Sequence, residues 1–135
     1  MRSRLIVGVM VAVAASWATA HHSAASVDMS KLLTTTGTVK DFHWVNPHVW
    51  LFIVSPGAGG AAQEQAFEGP PVMALAKRGV RRSDLKAGDV VEIAYYGHRD
   101  GHPGGVLASV KLQPSGREVS MGGPPPPSAA PAAAP

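Results

Sequence analysis

Hydrophobic residues in this chain fall in short runs that are separated by glycine and proline. Each run is rich in β-branched and aromatic residues or alternates apolar with polar positions, which is typical of β-strands. Asn46-Pro47 ends the first run, because proline lacks a ladder donor and restricts the residue before it. The runs that predict strands are 34–44, 48–54, 63–68, 90–96 and 106–112.

The second run is apolar on both faces, with Trp50 and Phe52 on one face and Val49, Leu51 and Ile53 on the other. A strand of this kind lies against the core of a small barrel or sandwich. We therefore expect a buried set that includes one of the two tryptophans at the first bend, together with residues of the fourth strand. The expected buried residues are Leu51, Ile53, Val91, Ile93 and at least one of Trp44 or Trp50.

One short helix is predicted over residues 72–78. Pro71 precedes it and Gly79 follows it, and Lys77 and Arg78 lie in its last turn, where cations suit the helix dipole. Three strands, a short helix and two strands are the element order of a five-stranded OB-type barrel. The predicted fold is therefore all-β and OB-like, with the helix between strands 3 and 4. A small β-sandwich and an SH3-like barrel are the alternatives, and a last short extended piece is expected after Gly116.

The first twenty residues have the three parts of an export signal. Arg2 and Arg4 precede an apolar run over 5–15, and Ala18-Thr19-Ala20 has the small-residue spacing at which signal peptidase cuts. The alternative is an uncleaved anchor, but the apolar run is shorter than the roughly 20 residues that a membrane span needs. We expect cleavage after Ala20, a periplasmic or secreted protein, and no stable membrane span after cleavage.

The rest of the chain divides into three parts. Residues 21–33 are a polar lead-in, 34–119 form the barrel domain, and 120–135 are a tail of proline, alanine and glycine. Such a tail buries too little apolar surface to offset its ordering entropy, so we expect disorder from Met121 onward. A spacer, or a ligand for an aromatic groove, is the alternative for the tail.

Composition excludes several classes of function. Without the two arginines of the leader, the 12 basic and 9 acidic side chains become nearly balanced, which disfavours a nucleic-acid partner. The chain has no cysteine, so disulfides, thiolate metal sites and a cysteine nucleophile are excluded. It also has no phosphate loop, Gly-x-Ser-x-Gly, His-Glu-x-x-His or paired catalytic carboxylates. We expect a binding protein and no enzyme.

Several motifs occur together in order. They are His-His-Ser at 21–23, Gly-Thr-Val-x-x-Phe-x-Trp-x-Asn-Pro-His-x-Trp over 37–50, Leu-Lys-x-Gly-Asp over 85–89, and Asp-Gly-x-Pro-Gly-Gly over 100–105. Residues 21–119 thereby resemble the exported bacterial domain-of-unknown-function family 6152. The resemblance implies export and a compact β-rich domain, and it implies no activity. His98 and His102 fall where the family pattern is looser.

Cleavage after Ala20 would leave His21 and His22 at a free α-amino group. Amine and imidazole nitrogens suit Cu(II), Ni(II) and Zn(II), and a planar nitrogen-rich site favours Cu(II). We expect a copper site formed by His21, His22 and a third histidine from the fold, with His48 as the first candidate, for binding, transport or buffering. The alternative to a metal site is that His21 and His22 form a flexible N-terminus that only favours cleavage by signal peptidase.

A second candidate is the aromatic corner, which comprises His43, Trp44, Asn46, His48 and Trp50. Two histidines and two tryptophans around one tight bend would form a surface for a protein, a peptide or a small ligand. The alternative is structural: Asn46-Pro47-His48 makes a barrel corner, and the tryptophans fill the core.

Two other groups of residues have plainer interpretations. His98 and His102 lie in a turn whose backbone Asp100 and Gly101 set, so an exposed polar turn is favoured over a metal clasp. Basic residues surround the end of the predicted helix. They are expected to be solvated, with contact to an anionic lipid or polymer as the alternative; they are Lys77, Arg78, Arg81 and Arg82.

Overall fold

The computed structural model describes residues 26–122, which form six strands and one α-helix. In chain order these are β1 (Val27–His43), β2 (Trp50–Pro56), β3 (Ala62–Glu68), α1 (Val72–Lys77), β4 (Val90–His98), β5 (Gly104–Gln113) and β6 (Glu118–Ser120). Single turns of 3-10 helix cover Ala58–Gly60 and Arg82–Asp84.

Five of the strands pair in a closed ring. β1 is antiparallel to both β2 and β4, β2 pairs with β3, and β4 pairs with β5. A parallel pairing between β3 and β5 completes the ring. β6 is outside the ring and pairs antiparallel with residues 109–111 of β5. The prediction of an all-β, OB-like fold with one short helix between strands 3 and 4 is confirmed.

β1 is longer than its sequence pattern predicts. It begins at Val27 rather than at residue 34, so much of the expected lead-in belongs to the sheet. Its first part carries exposed polar residues, which weakens the strand pattern, but pairing with β4 supplies the backbone hydrogen bonds. Val27, opposite His98, is 1% exposed and anchors this end of the strand.

The predicted alternation along β2 is confirmed. Leu51 and Ile53 are fully buried, as are Val91 and Ile93 of β4. The expectation for the tryptophans is wrong, because Trp44 and Trp50 are both only half-buried. Trp50 alternates with Leu51 and therefore lies on the outer face, while Trp44 packs at the edge of the core, with its ring 5.6 Å from that of Phe42.

The ring closes where β3 and β5 meet, and two glycines make this possible. Gly104 lies opposite Ala66 and Gly105 opposite Phe67, with φ angles of 100° and 152°. A methyl group on Gly104 would overlap the carbonyl oxygen of Ala66, and one on Gly105 would overlap that of Tyr96. The sequence pattern assigns both glycines to a turn, whereas they are the first residues of β5.

The globular domain extends past the boundary expected at residue 119. Met121 is 0% exposed and Val119 is 3% exposed, and both belong to the core cluster. Met121 therefore packs in the core and is not part of the disordered tail that was expected to begin at this residue. A single methionine before a glycine-proline run gives no periodicity from which burial could be predicted. The expected disorder of the rest of the tail falls on residues 123–135, outside the described residues.

Gly104, at the β3–β5 pairing, gives a first prediction, with Gly101 as the comparison. Gly101→Ala should lower the free energy of unfolding by about 1–2 kcal/mol, because Gly101 has a positive φ (80°) but nothing within 4 Å of the position of a Cβ. Gly104→Ala should lower it by about 1–3 kcal/mol more, because its methyl group must also displace the β3 backbone. Urea denaturation of both variants measures the difference. Equal losses of unfolding free energy would show that the β3–β5 pairing has room for a side chain.

The core methionine gives a second prediction. Met121→Ala should lower the free energy of unfolding by about 2–5 kcal/mol, as for other fully buried methionines. Deletion of residues 123–135 serves as the comparison and should leave the melting temperature unchanged. Differential scanning calorimetry of the two variants checks both statements. A neutral Met121→Ala would contradict the assignment of this side chain to the core.

Candidate functional site

The aromatic corner joins β1 to β2. His43, the last residue of β1, pairs with Trp50, the first residue of β2, and Asp41 pairs with Phe52. Because side chains alternate along a strand, His43, Trp50 and Phe52 share the outer face of the barrel. Asn46 is exposed in the loop between the two strands. The corner therefore presents aromatic surface that the core does not use.

His43 is held in place on this outer face. Its Nε2 lies 2.7 Å from Oδ2 of Asp41, and its ring centre lies 4.7 Å from that of Phe52. The backbone N–H of Phe42 donates to the other carboxylate oxygen of Asp41 at 2.7 Å. The hydrogen bond from His43, followed by that from Phe42, lowers the pKa of Asp41 below its ordinary value.

His48 has a different carboxylate partner. Its Nδ1 contacts Oε1 of Glu68, the last residue of β3, whose side chain is only 13% exposed. An imidazole fixed through Nδ1 by a carboxylate presents Nε2 outward, which is the arrangement that metal-binding histidines commonly have. The corner thus holds two histidine–carboxylate pairs, each with its own partner.

A second candidate region lies where the described chain enters β1. The backbone N–H of Arg99 donates to the carbonyl oxygen of Ser26 at 2.8 Å, which fixes residue 26 beside the turn between β4 and β5. A cleft of about 420 Å³ lies there, which we call the entry cleft. It is lined by Ser26, His98, Asp100, His102 and Pro103.

Asp100 organises the turn at this cleft. Its Oδ1 accepts the backbone N–H of His102 at 3.1 Å, and its Oδ2 lies 3.1 Å from Nδ1 of the same residue. The backbone hydrogen bond is the main reason that the pKa of Asp100 is lowered. The side chain of His102 is 79% exposed, in agreement with the exposed polar turn expected from the sequence.

The metal site expected from the sequence falls mostly outside the described residues. His21 and His22 precede residue 26, so their placement is not described. Within residues 26–122, no group of three or more histidine, aspartate or glutamate side chains is arranged to hold a metal ion. The copper site therefore stays a prediction.

Sequence reasoning missed the carboxylate partners of both corner histidines. Asp41 is two residues before His43, the spacing that places both side chains on one face of a strand, so alternation could have indicated it. Glu68 is twenty residues from His48 and meets it only through the pairing of β2 with β3. No local signal identifies that pair.

The Asp41–His43 pair gives a third prediction. His43→Ala should raise the pKa of Asp41 toward its ordinary value, because the largest cause of the lowering is removed. In the wild type the lowered pKa stabilises the fold above the ordinary aspartate pKa, and this contribution disappears as pH falls through the lowered value. A carboxyl-carbon NMR titration of Asp41 in the two proteins measures the change. An unchanged midpoint would contradict the hydrogen bond.

In the part of the chain that the structure describes, no helix has the length and apolar character needed to cross a membrane.

Comparison with known proteins places the chain in a family. No curated protein and no solved structure matches the sequence. One family model matches residues 9–108, well over half of the chain. The protein therefore belongs to the family of unknown function DUF6152.

Proposed function

We propose that this protein is exported to the periplasm or secreted and binds a metal ion, copper first, through its mature N-terminal histidines. Its role would be binding, transport or buffering without catalysis of its own. The sequence supports this with the export signal and with two histidines at the expected new terminus. Amine and imidazole nitrogens together favour Cu(II) over the other common divalent ions.

The observation that carries the proposal is the position of Ser26 in the entry cleft. Only three residues separate His22 from Ser26, and the four residue steps between them span at most about 14 Å when fully extended. Ser26 itself lines the cleft with His98 and His102. This short connection supports a site that combines the N-terminal histidines with His98 or His102.

The same chain path favours His98 and His102 over His48 as the third ligand. His48 contacts Glu68 and is not among the residues that line the entry cleft, whereas Ser26 lines the cleft together with His98 and His102. At the cleft, Asp100 holds Nδ1 of His102 and leaves Nε2 toward solvent. Its low pKa also keeps a negative charge beside any bound cation.

The fourth prediction is a calorimetric one. The signal-cleaved protein should bind about one equivalent of Cu(II) more tightly than Zn(II), and one added N-terminal residue should weaken copper binding at least tenfold. Binding should also weaken as pH falls below roughly 6.5, because protons compete for the imidazoles. N-terminal sequencing of the exported chain first establishes whether it begins at His21.

Single variants identify the third ligand. His102→Gln and His98→Gln should each weaken copper binding by roughly tenfold or more if that side chain is a ligand. His48→Gln is the matched control and should leave the affinity unchanged. Equal copper affinity for the native and the extended N-terminus would remove the N-terminal site.

A second candidate function rests on the aromatic corner. Trp50 and Phe52 lie half-buried on the outer face of β2, where they contribute nothing to the interior of the barrel. The outer face of strands 2 and 3 and the adjoining loops is the surface by which many OB-folds hold a ligand. An interaction module for a protein, a peptide or a small ligand becomes the leading function if the extended N-terminus leaves copper binding unchanged.

A further inference from the structure

A cationic surface lies on α1 and on the 3-10 turn that follows it. Its exposed basic side chains, which we call the basic surface, are Lys77, Arg78, Arg81, Arg82 and Lys86. The metal site proposed above uses none of them. They follow one another within ten residues of sequence, so their charges are concentrated on one segment.

Three apolar anchors fix this segment on the barrel. Leu75 is 0%, Val80 is 7% and Leu85 is 3% exposed, and all three belong to the core cluster. The basic residues between the anchors consequently point outward. The segment is thus a fixed part of the fold that presents its cations to solvent.

The cations of the basic surface have no carboxylate partners within residues 26–122. The one acidic residue among 77–86, Asp84, instead binds the guanidinium of Arg117 at 3.2 Å and the backbone N–H of Arg81 at 2.7 Å. None of the five basic side chains forms an ion pair with another described residue. The charges of Lys77, Arg81, Arg82 and Lys86 are therefore available to an external anion, whereas the guanidinium of Arg78 lies against Gly122.

Part of the basic surface borders a cleft. Arg81, Arg82 and Lys86 line a cleft of about 510 Å³, together with Phe42, Leu85 and one carboxylate, Asp41. That carboxylate already accepts hydrogen bonds from His43 and from the N–H of Phe42. The cleft accordingly offers three cations beside an apolar wall, which matches a phosphate group attached to an apolar body.

An exposed apolar side chain lies beside Lys77 on α1. Met73 is 64% exposed and lies four residues before Lys77, so the two share the face of α1 opposite the buried Leu75. Water solvates an isolated cation well, but an exposed methionine gains free energy by entering an apolar phase. Lys or Arg around a protruding apolar side chain is the pattern of proteins that lie on membranes.

From these observations we infer that the basic surface docks on anionic phospholipid headgroups, with Met73 entering the membrane interface. A cluster of four to eight Lys or Arg residues is the size that binds anionic bilayers, at about 1 kcal/mol per cation. Met73 favours a membrane over a soluble polyanion such as polyglutamate, because the polyanion offers no apolar phase beside its charges. Such docking is peripheral and requires no spanning segment.

Co-sedimentation with lipid vesicles tests the inference. The chain should bind vesicles containing phosphatidylglycerol, should bind pure phosphatidylcholine vesicles far less, and should be released by added salt. Arg81→Gln/Arg82→Gln should lower the partition coefficient about thirtyfold, which is the conversion of about 1 kcal/mol for each lost cation. Met73→Ser should lower it severalfold without changing the salt dependence.

Lys31→Gln/Arg99→Gln is the matched control, because it removes two exposed cations near the start of β1, away from the basic surface. This control should partition onto vesicles as the wild type does. All variants carry the same N-terminus, so any contribution from residues 1–25 cancels in the comparison. Circular dichroism verifies that each variant is folded. Loss of binding in the control as large as in the arginine pair would overturn the inference, as would binding to soluble polyglutamate but not to vesicles.

Discussion

The closure of the strand ring between β3 and β5 is the constraint on which the rest of this structure depends. A parallel pairing of residues 66–68 with 104–106 joins the two ends of the sheet. It requires close backbone approach at Gly104, which faces Ala66 of β3, while the neighbouring Gly105 makes the same approach to Tyr96 of β4. Closure removes the open sheet edges and encloses the core of Leu51, Ile53 and their neighbours. α1 and the turn after it, anchored by Leu75 and Val80, complete this core.

Closure also determines which side chains are left for function. Along β2, every second side chain points into the barrel and fills it. The aromatic side chains between those positions, Trp50 and Phe52, therefore lie on the outer face. The long β1 runs past the ring to meet the end of β4, which places Ser26 beside His98. The entry cleft lies at the beginning of β1. The aromatic corner at the end of β1 and the basic surface on the helical connection adjoin each other at Asp41, which binds His43 and lines the cleft beside Arg81 and Arg82.

The proposed metal site and the proposed membrane surface are physically independent. The metal site would depend on neutral imidazoles and an amine, so protons compete with the metal. The basic surface depends on ammonium and guanidinium cations, so salt weakens its attraction for anions, and protons do not compete for it. An exported protein with both features would hold its ion while lying on an anionic bilayer.

Much of the architecture was predictable from the chain itself. Alternation within the apolar runs, and the proline and glycine breaks between them, indicated the order of strands and helix along the chain. The same alternation predicted the burial of Leu51, Ile53, Val91 and Ile93. These features are local, because side-chain alternation and turn chemistry act over a few residues. The histidine pair at 21–22 and the absence of cysteine were equally plain, and the latter excluded thiolate metal ligands.

Only the tertiary structure decided what depends on distant segments. It showed the polar start of β1 as strand and joined His48 to Glu68. It placed Met121 in the core, Trp44 at the edge of the core and Trp50 on the outer face. It also placed residue 26 beside His98 and His102, which redirected the proposed ligand set away from His48. The physical reason is the same in each case: strand pairing and core volume bring together residues far apart in sequence, and no local pattern records their proximity.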